Sequence, residues 1–168
     1  MLKAIRIFTV ATFTMIASIL AASAQDEAGW IRAEIEGQTM EWALWADQSD
    51  WFGSMESPQT WVSLYSRPNS DGVMPSTVRL DTARVENNWI QTNVDIDLFG
   101  GGGHYTTGNV GDAKLAVSEA SMDGDVLILK GTFSAAMFLK ESLSAEPDMT
   151  KSLLIKDAEF EVRVPPRR

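Results

Sequence analysis

The chain predicts an all-β fold, a single antiparallel β-sandwich of about eight or nine short strands. Three observations carry this. Apolar and polar residues alternate with period two through nearly all of the sequence after residue 24, sustained helical periodicity is scarce, and turn-forming residues recur between the alternating runs. Strand order, whether Greek key or meander, is left open by the pattern.

The elements follow in order. Trp30 to Glu36 places Ile31, Ala33 and Ile35 on one face and Arg32, Glu34 and Glu36 on the other. Gly37-Gln38 follows, and Thr39 to Ala46 returns as the second arm of a hairpin. Ala46-Asp47-Gln48-Ser49-Asp50 reads as loop. Trp61 to Ser66 sets Val62 and Leu64 against Trp61, Ser63 and Tyr65. Thr77 to Val85 and Trp89 to Phe99 are further strands, joined through Glu86-Asn87-Asn88. Asp112 to Ser121 and Val126 to Ala136 flank Met122-Asp123-Gly124-Asp125, a strong local hairpin signal. Ala136 to Ser144 fits one or two helical turns or an extended run. Ser152 to Val164 closes the domain, Pro165-Pro166 ends the ladder, and Arg167-Arg168 reads as a solvated tail. Pro68 to Pro75 and Gly100 to Gly103 are loops, and neither a repeat nor a second domain is visible.

Met1 to Ala24 has the layout of a cleaved secretory signal. Lys3 and Arg6 form a positive start, and Ile7 to Ala21 is apolar apart from Thr9, Thr12, Thr14 and Ser18. Ala22-Ser23-Ala24 then offers small residues for cleavage after Ala24. The apolar run is short for a membrane span, and Gln25-Asp26-Glu27 gives no positive stop-transfer flank. The expected address is the periplasm or beyond, with residues 25–168 as one domain.

That domain of 144 residues carries 12 basic and 23 acidic residues, a net charge of −11. Such a surface repels nucleic acid and anionic lipid headgroups, and no apolar stretch long enough to span a membrane remains. The chain has no cysteine. That removes disulfides, thiol nucleophiles, cysteine metal sites and a lipoprotein anchor, so burial alone must hold the domain together. No cofactor motif is present, and nothing in the pattern sets an oligomeric state.

Leu127-Ile128-Leu129-Lys130-Gly131-Thr132-Phe133-Ser134 and Ile155-Lys156-Asp157-Ala158-Glu159-Phe160-Glu161-Val162 follow an opening hairpin, Ala33-Glu34-Ile35-Glu36-Gly37-Gln38. This combination resembles small secreted β-sandwich proteins of bacteria. The resemblance spans about the last third of the chain and the first hairpin. It implies a sandwich fold and brings no site residue with it.

Six tryptophans, Trp30, Trp42, Trp45, Trp51, Trp61 and Trp89, survive signal removal, five of them between residues 30 and 61. A sandwich core takes one or two, and Trp42 and Trp61 are its candidates. Trp45, Trp51 and Phe52 flank the polar stretch Ala46 to Asp50. Together with Trp61 they form the candidate ligand-binding set, because exposed indoles stack on sugars or anchor protein partners.

Asn93, Asp95 and Asp97 alternate with Val94, Ile96 and Leu98, so the three polar groups share a strand face. Two carboxylates spaced this way suit glycoside hydrolysis or weak Ca²⁺ binding, and equally a plain solvated face. The Asn-x-Asp-x-Asp start is similar to an EF-hand loop, then departs from it at Leu98 and His104. His104 is the sole histidine, so it is the only base a serine hydrolase would have, and no Gly-x-Ser-x-Gly elbow accompanies it. Gly100 to Gly103 lacks the Lys-Ser/Thr ending of a phosphate loop.

Three functions therefore stand. The first is an exported, non-enzymatic binding module for a protein or glycan of the cell envelope. The second is a structural or accessory envelope protein whose tryptophans are all core. The third is a carboxylate-based hydrolase using Asp95 and Asp97. Binding is favoured over catalysis, because no acid–base pair has support beyond strand spacing.

Overall fold

The computed structural model describes residues 27–56, 59–68, 76–99, 103–108, 111–142 and 144–168. The signal-like segment Met1 to Ala24, most of the Pro68 to Pro75 loop and Gly100 to Gly102 lie outside the described residues. Ten strands form: β1 (Glu27–Ile35), β2 (Gln38–Trp45), β3 (Asp50–Gly53), β4 (Gln59–Tyr65), β5 (Ser76–Val85), β6 (Asn88–Leu98), β7 (Gly103–Thr106), β8 (Asp112–Asp123), β9 (Val126–Lys140) and β10 (Asp148–Val164). They belong to one antiparallel sheet with the order β2-β1-β10-β9-β7-β6-β5-β4-β3, and β8 also pairs with β9. The all-β, antiparallel class is as expected. Among the described residues the sheet has ten strands, nine along this path and β8 beside it, where about eight or nine were expected.

The local causes are those read from the sequence. Ile35 pairs with Gln38 across a two-residue turn in which Glu36 (φ 51°) and Gly37 (φ 77°) are both left-handed, the geometry that matches strand twist. Asp123 pairs with Val126 across a second two-residue turn, in which Gly124 alone is left-handed (φ 64°). Of the Ala136 to Ser144 segment, residues up to Lys140 are extended as the end of β9, and Glu141 and Ser142 bend away from it. Its length lets one edge of β9 serve two partners: β8 along Val126–Ala136 and β7 along Phe138–Lys140.

One face of each main strand feeds a single core. Ile31, Leu44, Leu64, Leu80, Ile96, Leu129 and Val162 are fully buried within it, each contributing roughly 1.5–3 kcal/mol by removal from water. Trp42 is buried too, and its indole N–H donates to the Ser76 hydroxyl (3.1 Å). The sheet is not closed by a ladder. Its ends are instead linked by an isolated bridge between Leu44 and Ser66 and by another between Trp51 and Pro166.

This second bridge ties down the backbone of the expected tail, while Arg167 and Arg168 stay exposed. Trp51 N–H donates to Pro165 O (3.2 Å), and Arg167 N–H donates to Trp51 O (2.7 Å), so residues 165–167 lie parallel to β3.

Candidate functional site

Register sorts the outer face of β3 to β7 into rows about 6.5–7 Å apart along the strands. The first row is apolar: Phe52 opposite Trp61, Trp61 opposite Ala83, Ala83 opposite Ile90. Phe52 is 46 %, Trp61 38 % and Ile90 45 % exposed, whereas Ala83 is buried outside the core cluster, beneath its larger neighbours. The Phe52 and Trp61 rings stack, with centroids 6.3 Å apart and planes within 10°. The next rows are polar: Asp50, Ser63, Asp81, Asn93; then Tyr65, Arg79, Asp95, Thr106; then Thr77, Asp97, His104, Lys140.

The four residues expected to bind ligand are not one patch. Phe52 and Trp61 form the ridge, and Trp61, a core candidate by composition, points outward because Val62 and Leu64 take the inner face. Trp51 faces the interior, only 8 % exposed, and its indole N–H donates to Asp125 O (3.2 Å). Trp45 is half-buried under the Arg67 guanidinium (4.6 Å from the ring centroid). It lines a cleft of about 710 Å³ together with Asp47, Asp50, Pro165 and Arg167. Arg167 joins the two places, its guanidinium 5.7 Å from the Phe52 centroid and its Nε 3.4 Å from Asp50.

The second cluster brings His104 onto the Asn93, Asp95 and Asp97 face noted in the sequence. His104 on β7 stands opposite Asp97 on β6, with Nδ1 2.6 Å from Asp97 Oδ1 and Nε2 3.7 Å from Asp95 Oδ1. Asn93 donates from Nδ2 to Asp95 Oδ2 (2.5 Å). Its Oδ1 accepts from the hydroxyls of Thr106 (3.3 Å) and Thr107 (3.1 Å) and from Gly108 N–H (3.2 Å), so its amide fastens β7 to β6. Arg79 pairs with Asp81 (2.7 Å) and lies over Tyr65 (5.0 Å). Burial pushes the Asp81 carboxyl above its ordinary range, against hydrogen bonding from Ser63 and the charge of Arg79. Two adjoining clefts of about 360 and 630 Å³ share Asp97, His104 and Lys140. Among the described residues, no group of three or more His, Asp or Glu side chains is arranged to hold a metal ion.

The sequence had signalled Asp95 and Asp97 together, on one strand face, and His104 apart from them. The contact among them depends on β7, a four-residue strand directly behind a glycine run. Arg79 and Asp81 gave no signal beyond alternation. No family matches the chain, and neither a curated protein nor a solved structure similar to it is found.

Proposed function

We propose that this is an exported, non-catalytic binding module whose contact surface is the Phe52–Trp61 ridge, with a protein or glycan of the cell envelope as ligand. The observation that supports it most is the exposure of two stacked aromatic rings on the outer face, where the core has no use for them. Rings placed this way bring large apolar area at little entropic cost. The polar row of Asp50, Ser63, Asp81 and Asn93 beside them offers acceptors and a hydroxyl to orient a ligand. Export rests on the signal-like Met1 to Ala24 segment, and the doubling of the sheet into two facing layers of a sandwich belongs to the same reading. The test is tryptophan fluorescence with acrylamide quenching, titrated with peptidoglycan fragments and soluble glycans, beside pull-down from envelope extracts. A quenchable population that becomes protected on addition supports a glycan ligand. A pulled-down partner lost on Trp61→Ala supports a protein ligand, and neither result returns the chain to a structural role.

One observation favours hydrolysis as a second reading. His104 Nδ1 sits against Asp97, an arrangement that orients the ring and leaves Nε2 on the Asp95 side as a base. Hydrolytic activity that survives both His104→Ala and Asp97→Asn would remove this reading.

A further inference from the structure

The edge of β3 is a place where chain can be added, and residues 165–168 already occupy it. β3 is the last strand of the sheet, with β4 on one side only. Along its other side the backbone of Trp51 is used twice, donating to Pro165 O (3.2 Å) and accepting from Arg167 N–H (2.7 Å). Those two bonds are the pattern of a parallel strand, made here by a short segment with two prolines. Proline at 165 and 166 costs nothing, because neither position supplies the N–H that reaches Trp51.

Side chains add selectivity to this backbone pairing. The guanidinium of Arg167 reaches Asp50 (3.4 Å) and lies over the Phe52 ring (5.7 Å). Trp45 forms a wall of the cleft beside it, and Asp47 adds a second carboxylate to the lining. The seat thus combines a strand edge paired only by residues 165–167, two carboxylates and an aromatic face. It fits an extended peptide with proline opposite Trp51 and a cation one residue later, as Pro166 and Arg167 show. The net charge of −11 on residues 25–168 attracts such a segment from a distance.

We propose that the β3 edge is a strand-docking site for an extended, proline-containing, arginine-bearing segment of another protein, and that residues 165–168 fill it in cis as a built-in competitor. The proposal does not depend on what binds the outer-face ridge, although the two places meet where Arg167 lies over Phe52. A cis occupant is present at an effective concentration of about millimolar, so a free peptide gains access only when the tail is released.

The experiment uses the full chain. Arg167→Pro removes the N–H that reaches Trp51, together with the guanidinium. Asp50→Lys leaves that N–H in place and repels the arginines. Arg167→Lys keeps both donor and charge. Hydrogen exchange is followed at the Trp51 amide, with the Leu80 and Val94 amides reporting the intact core. The probe is the synthetic peptide Val-Pro-Pro-Arg-Arg, followed by fluorescence anisotropy.

The expected result is about tenfold faster exchange at Trp51 in Arg167→Pro, matching loss of one backbone hydrogen bond and one exposed ion pair. Asp50→Lys shows a smaller increase, and Arg167→Lys behaves as the parent. The peptide then restores protection at Trp51 in Arg167→Pro and binds it about tenfold more tightly than it binds the parent chain. The proposal is overturned if Trp51 exchange is unchanged in both release variants. It is equally overturned if the peptide binds parent and Arg167→Pro alike or neither of them, or if Arg167→Pro fills the edge by dimerising.

Discussion

Replacing Phe52 by alanine separates a ridge built for contact from an outlying part of the core. A fully buried aromatic cut to alanine costs roughly 3–5 kcal/mol. Phe52 is 46 % exposed, so about half of that, roughly 2 kcal/mol, is the expected loss. Trp61, at 38 % exposed, should lose slightly more. The stacked pair at 6.3 Å adds a coupling of about 0.5–1.5 kcal/mol, recovered by a double-mutant cycle of Phe52→Ala and Trp61→Ala. In a domain of this size each kcal/mol moves the Tm by about 2–4 °C. Phe52→Ala should therefore lower the Tm by about 4–8 °C, and Trp42→Ala, from a site 1 % exposed, by about 10 °C or more. Calorimetry and urea unfolding on the parent and the four variants supply the numbers. If Phe52→Ala and Trp42→Ala cost the same, the ridge is core and its exposure argument fails. If the coupling is under about 0.3 kcal/mol, the rings do not act as a pair.

Three further predictions concern the frame of the site. Gly29→Ala should destabilise by about 3 kcal/mol or more, because φ is +125° and a Cβ would overlap the Glu161 carbonyl oxygen. Gly37→Ala, with nothing near its Cβ and φ +77°, should lose only about 1 kcal/mol, and urea midpoints compare the two. Asn93→Ala should lose about 1–3 kcal/mol and loosen β7, since Thr106, Thr107 and Gly108 all donate to its Oδ1; hydrogen exchange at Gly108 reads the loosening. Asp81→Asn tests the buried carboxyl. Its folded pKa is raised, so the native state holds the proton more tightly than the unfolded chain does. The group is thus least unfavourable below the ordinary carboxylate pKa, and its cost grows as pH rises through the folded value. The stability of Asp81→Asn relative to the parent should therefore climb between about pH 3 and pH 7, measured by urea unfolding across that range. A flat or falling difference would contradict the burial assigned to it.

Legibility in the sequence followed element length. The hairpins at Gly37 and Gly124 were readable because alternation on both sides and a turn residue agree. β3 and β7, four residues each, are too short for a period to register, and both carry site residues. Trp51 and Phe52 show the consequence. Adjacent residues on a strand face opposite ways, so they could not both be exposed, and only the pairing with Val62 and Trp61 fixes which one is. The outward direction of Trp61 was already implied by Val62 and Leu64, although composition argued for the core. Contact between His104 and Asp97 is a matter of register, and the glycine run that precedes His104 hides that register. The backbone pairing of the tail was missed for another reason, since Arg167 and Trp51 are remote in sequence and the pairing has no local cause.

Arginine over aromatic rings recurs across this surface and narrows the search for ligand contact. Arg32 lies over Trp30, Arg67 over Trp45, Arg79 over Tyr65 and Arg167 over Phe52, at 4.6–5.7 Å from the ring centroids. In an acidic, cysteine-free chain this arrangement covers ring faces with weakly hydrated cations. Among the described residues, Trp61 is the exposed tryptophan over which no guanidinium lies. A ligand reaching the ridge displaces nothing to touch it, whereas Phe52 must first give up Arg167. Trp61→Ala should therefore abolish binding, Trp61→Phe should retain part of it, and Phe52→Ala should weaken it by less than tenfold, about 1 kcal/mol. The same extract pull-down or glycan titration measures all three. Equal losses at Phe52 and Trp61 would show that Arg167 leaves its ring on binding, and an unchanged Trp61→Ala would move the contact surface off the ridge.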